Sequence, residues 1–492
     1  MQKGYLILDI GTGNARVGIT TIDGKLISLQ TADVQYHKDS DFPDAVSFHT
    51  EGMLKDIRSM IQTVLEESRD IEITAILSTS QREGIVLIDK EGKSIIGFPN
   101  VDNRGREWEE EITEFDTVYQ KAGRWPVTVF SALKLVGVRE RQPELWNQIA
   151  AFTSISDWIG YEFTNHLVYE TSQASETLLF DIEQGEWSKE LCEIFGINQD
   201  WLPEVKQSGT ILGKVNQQAS KYFGVKKGIP FIVGGADTQL AAKNALPEID
   251  DIVIVSGTTT PIVKIVSDYQ TDEQARCWAN RHVHENEFII ETNAGVSGLN
   301  YQRLKKVFFP DKSYEEMEEE VLAIQHPNII ASFGTLVFDK NLPLLKGGFY
   351  MDAPVHHEIT AADFVYGILF DIASSIKYNF DVLIDISPTS KEYVYGCGGG
   401  FKGMVLPQML ADLLGKQIII KEGYRQASLM GGVIICNDAL GEVNNVKESA
   451  KIFYPSNENK LRELYQAWYN YRNDINGLNK NKGSGKDYVH SK

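Results

Sequence analysis

The sequence predicts an α/β chain of two related domains, and three observations carry that expectation. Strand-like runs closed by Gly/Thr turns open both halves, first at Tyr5–Ile10 and again at Ile252–Ser256. Stretches with helical spacing follow each opening, clearest at Met53–Glu67 and Ala361–Ile384. The 492 residues suffice for two or three domains with cores of their own.

Taken in order, Tyr5–Ile10 is a buried-strand candidate that ends in the turn Gly11-Thr12-Gly13-Asn14. Ala15–Ile22 alternates, meets Asp23-Gly24, and is followed by a third strand over Leu26–Thr31. Asp-Gly between two such runs is a strong hairpin signal. Met53–Glu67 puts Leu54, Ile57, Ile61, Val64 and Leu65 on one face, and Ile71–Ser78 is the next strand. Three antiparallel strands, a helix and a further strand differ from the β-α-β opening of a Rossmann unit.

The second half begins alike: strand Ile252–Ser256, turn Gly257-Thr258-Thr259-Thr260, returning strand Pro261–Val266. The spacing is too long for a solenoid and reads as a degenerate internal repeat. The helix Ala361–Ile384 carries Phe364, Val365, Ile368, Leu369, Ile372, Ile376 and Phe380, and strand Tyr393–Tyr395 runs into glycines at Gly396–Gly400. Pro247 and acidic residues interrupt the pattern between Leu240 and Asp251. The expected division is therefore 1–245, 246–450, and 451–492 as a C-terminal helix and tail. After about Asn476 the tail lacks apolar periodicity and is expected to be disordered.

Composition excludes several classes. With 48 Lys and Arg against 68 Asp and Glu, the net charge of −20 argues against nucleic acid, whose phosphates are bound by excess basic residues. No signal-peptide pattern opens the chain, and no apolar run reaches the roughly 18 residues of a membrane span. Cys192, Cys277, Cys397 and Cys436 lie far apart with no CxxC pair, which points to reduced thiols and a cytoplasmic protein.

Several segments carry chemistry. Asp9-Ile10-Gly11-Thr12-Gly13-Asn14-Ala15-Arg16 sets a carboxylate at a strand end, then a turn of small residues whose N–H groups can approach a phosphate. A plain hairpin with an Asp cap explains this segment equally well on its own; the related turn at Ser256–Thr260 favours two walls gripping one nucleotide. Gly234-Gly235-Ala236-Asp237-Thr238-Gln239 again follows an apolar run with a carboxylate, suited to accept a hydroxyl proton, although Asp is also a common helix cap. Gly398-Gly399-Gly400 lets a flat base or phosphate pack on backbone, or is simply a turn. Gln81-Arg82-Glu83 and Asn100-Val101-Asp102-Asn103-Arg104 mix the donors and acceptors that a polyol requires; surface ion pairing is the ordinary alternative.

Together and in this order, these segments resemble the FGGY carbohydrate kinases of the actin-like ATPase fold, over roughly residues 4–450. Asp9–Arg16 is similar to the family's first phosphate motif, Ser256-Gly257-Thr258-Thr259 to its second, and Gly234–Asp237 to its G-G-x-D element. Gly398–Gly400, with Leu410–Asp412 and Ala427–Gly432, resembles the adenosine segment; Ser156-Asp157-Trp158 and Glu170–Ser175 match further landmarks. The resemblance implies two actin-like (ribonuclease H-like) ATPase domains flanking a nucleotide cleft, with ATP and Mg²⁺ as cofactors. It implies Asp237 as catalytic base, and Asp9 with Asp237 near the metal. Gly11, Thr12, Gly13, Asn14, Arg16, Gly257, Thr258, Thr259, Gly399 and Gly400 would bind nucleotide. Gln81, Arg82, Glu83, Asp102, Asp157 and Gln239 would bind a small sugar or polyol. A homodimer stays open.

Within the family, Ser80–Leu87 followed by Asn100-Val101-Asp102-x-Arg104 is most similar to the autoinducer-2 kinases, which phosphorylate a linear dihydroxypentanedione-derived signal. Arg-Glu at this place also occurs in glycerol-type kinases, so xylulose, ribulose and glycerol stay open as acceptors, as does a non-catalytic nucleotide-dependent sensor. The chain departs from family signatures at Gly137, Gly367, Phe370 and Gln426, none of which is a carboxylate of the proposed chemistry.

Overall fold

The computed structural model describes residues 1–324, 327–333, 347–444, 449–456 and 458–480. In the first half, β1 (Gln2–Ile10), β2 (Asn14–Thr21) and β3 (Leu26–Asp33) form the expected antiparallel meander. Helix α1 (Thr50–Glu67) crosses over, and β4 (Ile71–Ser80) returns parallel to β1. Tyr5, Leu6, Ile7, Leu8 and Ile10 are all fully buried, so β1 is apolar on both faces. That pattern belongs to a strand covered by helices on both sides. A smaller sheet of β5 (Ile85–Asp89), β6 (Ser94–Phe98) and β7 (Ile149–Ser154) follows, leading into α2 (Ile155–Thr164). The chain then adds β8 (Ile211–Lys214) and β9 (Pro230–Ala236) to the first sheet, and α3 (Asp237–Lys243) leaves the end of β9. The strand order is β8-β9-β4-β1-β2-β3.

The second half comprises β10 (Ile252–Val255), β11 (Thr259–Val266), β12 (Trp278–Arg281), β13 (Phe288–Val296), α4 (Ala361–Ile386) and β14 (Tyr393–Cys397). It continues with α5 (Val405–Leu414), β15 (Gln417–Lys421), α6 (Ala427–Leu440) and β16 (Ala450–Phe453). Its sheet runs β12-β13-β11-β10-β14-β15-β16. The block β13-β11-β10-β14-β15 repeats β3-β2-β1-β4-β9: three antiparallel strands, then two parallel ones. This is the two-domain actin-like, ribonuclease H-like architecture, and the repeat read from the two openings extends through five strands.

Helix α6 leaves the second sheet and packs on the first. Leu429, Met430 and Val433 share a cluster with Tyr5, Ile7, Leu77 and Leu240. It crosses α3 so closely that a Cβ on Gly431 would lie 1.9 Å from the Leu240 carbonyl oxygen.

The last helix, α7 (Glu458–Lys480), continues beyond Asn476, where disorder was expected. Trp468 and Arg472 anchor it to Asp371 of α4, and once a helix is nucleated each further residue adds at little cost. Residues 481–492 lie outside the described residues. Among the described residues no helix is long and apolar enough to cross a membrane. The four cysteines are buried and none forms a disulfide.

Candidate active site

The first turn is held from below. Gly11 N donates to Asn14 O (3.0 Å), Asn100 Nδ2 donates to Thr12 Oγ1 (2.9 Å), and Tyr36 Oη donates to Thr12 O (2.7 Å). Gln81 joins this support by accepting from Asn100 N (3.0 Å) and donating to Tyr36 Oη (3.2 Å). A Cβ on Gly13 would meet nothing within 4 Å, so the tip stays open to a ligand. The side chain of Asn14 is turned aside to Asp33 (2.6 Å). Arg16 pairs with Asp9, whose Oδ2 also accepts from Ser428 Oγ of α6 (2.5 Å).

The second turn meets the distant glycine run because β10 and β14 are parallel neighbours. Gly257 N donates to Thr259 O (2.9 Å), Ser297 N donates to Thr258 O (3.2 Å), and Gly400 N donates to Ser256 O (3.1 Å). A side chain at Gly400 would strike Ser256 Oγ at 2.1 Å, whereas Gly399 faces open space. Sequence separation hid this contact; sheet pairing makes one surface of the two motifs.

Asp237 begins α3, directly after the tightest part of β9. A Cβ on Gly234 would lie 2.0 Å from Ser78 O, which is why this strand end is glycine. Ala236 N donates to Ser172 Oγ (3.0 Å), and Ser172 donates to Glu170 (2.5 Å), fixing the backbone that presents Asp237. Burial and then the neighbouring Asp9 carboxylate push Asp237 up to about 6, against the pull of Arg82. Two residues on, Gln239 is buried and both of its amide atoms lack a partner. An unmatched buried amide costs a few kcal/mol, so these atoms call for a water or a ligand hydroxyl.

Arg82 and Glu83 come from a γ-turn: Gly84 N donates to Arg82 O (2.7 Å), and Glu83 takes φ 60°. That conformation costs a non-glycine residue roughly 1–3 kcal/mol and clusters at functional sites. Arg82 reaches across to Glu291 of β13 with two bonds, Nη1–Oε2 2.5 Å and Nη2–Oε1 3.0 Å. Behind it, the fully buried Arg124 binds Glu176 through Nε (3.0 Å) and Nη2 (2.6 Å). Burial and the charge of Glu176 hold the Glu83 carboxyl well above its ordinary range.

Asp102 and Asp157 are already engaged by groups of the chain. Asp102 accepts from Val46 N and Arg104 Nε, both at 2.7 Å. Asp157, in the first turn of α2, accepts from Ser154 Oγ (2.6 Å) and Glu170 N (2.9 Å), and burial pushes it up to about 7.

Glu176, Glu291 and Arg124 were not singled out by sequence reading, and Ser428 entered only within the segment Ala427–Gly432. Glu291 alone left a signal, a charged residue inside the otherwise buried strand Phe288–Val296.

The residues fit a nucleotide-bound Mg²⁺. Asp9 Oδ1 is buried without a partner. Among the described residues no three His, Cys, Asp or Glu side chains form a cage. Mg²⁺ is usually held by phosphates and waters with one or two carboxylates.

Known proteins resemble this chain along nearly its whole length. The FGGY family of carbohydrate kinases, N-terminal domain, matches residues 4–243. YoaC of Bacillus subtilis strain 168, provisionally named a sugar kinase, is 43% identical over 469 residues, covering 95% of this chain and 96% of its own. An autoinducer-2 kinase of Enterobacter sp. strain 638 is 25% identical over 507 residues, covering 96% and 94%. The crystal structure of ligand-bound xylulose kinase from Lactobacillus acidophilus superposes with a TM-score of 0.82 at 16% identity, covering 96% of this chain and 98% of that one. With its two glycine-rich walls, its carboxylate at the head of α3 and a relative of this likeness along nearly its whole length, the chain belongs to the FGGY family of carbohydrate kinases.

Proposed function

We propose that the chain transfers the γ-phosphoryl group of ATP to a hydroxyl of a small linear sugar-like acceptor, with the autoinducer-2-type dihydroxypentanedione favoured. The observation that carries this reading is Asp237, which the head of α3 presents beside Asp9 with its carboxyl pushed up to about 6, a range suited to a general base; on the same helix the buried amide of Gln239, without a partner in the chain, matches a hydroxyl that both donates and accepts. ATP phosphates would rest on the turns Gly11–Asn14 and Gly257–Thr259, with the base over Gly399 and Gly400. Asp237 would take the proton of the attacking hydroxyl. Asp9 Oδ1 and Asp237 would face Mg²⁺ through water; when bound, the ion supplies neutralisation of phosphate charge. Closing the halves, already joined through Arg82 and Glu291, would exclude water that wastes ATP. The buried free thiols suit a cytoplasmic setting.

The choice of acceptor rests on Ser80–Leu87 with Asn100–Arg104 and on the likeness to an autoinducer-2 kinase over most of the chain. A ketopentose or glycerol acceptor is the second reading, because Arg82-Glu83 fits those kinases too. The deciding experiment is a coupled ADP-release assay with Mg²⁺-ATP and linear dihydroxypentanedione, glycerol, erythritol, ribulose, xylulose and gluconate. Turnover confined to the dihydroxypentanedione supports the favoured acceptor. Turnover on a ketopentose or polyol replaces it, and ATP binding without any turnover replaces the kinase reading with a sensor.

A further inference from the structure

The wall beside Asp237 is notable for how its cations are used. Arg82 spends its end-on pair of donors, Nη1 and Nη2, on Glu291. Its remaining sides face acids as well: Nη1 lies 3.6 Å from Glu176 and Nε lies 3.8 Å from Glu83. Arg124 is taken by Glu176, Asn280 and the Ala279 carbonyl oxygen. Arg104 is taken by Asp102, and the fully buried Lys134 donates to the Val129 carbonyl oxygen. Each guanidinium thus has its own carboxylate, and Glu83 is a fourth acid against three arginines.

A planar guanidinium recognises a carboxylate or phosphate through two parallel N–H groups. The end-on face of Arg82, which an acidic acceptor would need, is filled by Glu291 from the other half of the molecule. An anionic acceptor placed here would be a buried charge without a partner, next to Asp237 and the phosphates of ATP. Removing or omitting one partner of a buried pair costs several kcal/mol. A neutral polyol meets no such penalty, since hydroxyls can donate to Glu83 and pair with the amide of Gln239.

On the reading that this cleft phosphorylates a small acceptor, we propose that it takes uncharged polyhydroxy or hydroxyketone acceptors and rejects aldonates, and that Glu291 sets this choice by occupying Arg82. The fold itself does not fix the charge of the acceptor. Glu291 fixes it, by a contact that forms only when both halves meet.

The test uses the full chain, Mg²⁺-ATP, and neutral acceptors set against acids: the linear dihydroxypentanedione, xylulose and xylitol against xylonate, and sorbitol against gluconate. For the wild type, kcat/KM should favour the neutral member by at least about 100-fold. Glu291→Gln keeps the shape and frees Arg82, so it should narrow the gap at least about 10-fold, through a lower KM for the aldonate. Equal use of neutral and acidic acceptors by the wild type overturns the proposal while leaving the kinase intact. So does a folded Glu291→Gln variant, checked by its melting curve, whose gap is unchanged. If that variant does not fold, the wild-type selectivity decides. Nucleotide binding with no turnover on any of these acceptors, the dihydroxypentanedione included, removes the kinase reading and this proposal with it.

Discussion

Arg82 and Glu291 lie 209 positions apart in the chain and meet as a buried two-point ion pair, Nη1–Oε2 2.5 Å and Nη2–Oε1 3.0 Å, that joins the two halves of the molecule. Considered from the sequence, Arg82 is an acceptor ligand. In the structure it is also the counter-ion of a carboxylate on the opposite sheet.

Arg82→Ala should therefore do two things. It should raise the acceptor KM far more than the ATP KM, because it removes the charge that faces Glu83 and Glu291 on the acceptor side of the cleft. It should also lower stability by about 3–5 kcal/mol, because Glu291 is left buried and unpaired. Adding Glu291→Ala should recover part of that loss in a double-mutant cycle. Equal KM effects would place Arg82 outside the acceptor site, and unchanged melting would show that the pair does not hold the halves together.

Asp237→Asn should lower turnover by roughly 10²–10⁴ while leaving nucleotide binding and folding in place, the usual contribution of a positioned general base. Full turnover in the purified variant would remove Asp237 from that role.

The same residue gives a pH dependence. A base must be deprotonated to act, and burial with Asp9 pushes Asp237 up to about 6. Acceptor kcat/KM should hold on the alkaline side and fall toward tenfold per pH unit below about 6. A profile flat down to pH 5 would count against this assignment.

Gly399 and Gly400 should separate in mutagenesis. Gly399 faces open space, so Gly399→Val should fold normally yet raise the ATP KM. Gly400→Val should damage folding first, since its side chain would enter Ser256. Normal ATP kinetics for a folded Gly399→Val would move the base away from this surface.

Gly431→Ala should destabilise by about 1–3 kcal/mol, as overpacking does, because its methyl meets the backbone of Leu240, which cannot yield as a side-chain end can. An unchanged melting temperature would mean that α3 and α6 separate without cost.

The sequence on its own determined the meander, the first helix, the repeat of strand–turn–strand and the four glycine-rich or carboxylate-bearing turns, because each depends on local spacing and backbone freedom. It also set Asp9, Asp237 and Gln239 on the ends of strands and the head of a helix. What it could not show was which of these turns touch, since Ser256 and Gly400 become neighbours only through the parallel pairing of β10 with β14. Nor could it show that Asp102 and Asp157 are occupied by Arg104, Val46 and Ser154, or that Arg82 is shared with Glu291. Those assignments depend on long-range burial, where a charge must find a partner wherever the chain happens to supply one. Glu291, Glu176 and Arg124 carry no motif, and only the packing of one half on the other gives them their part.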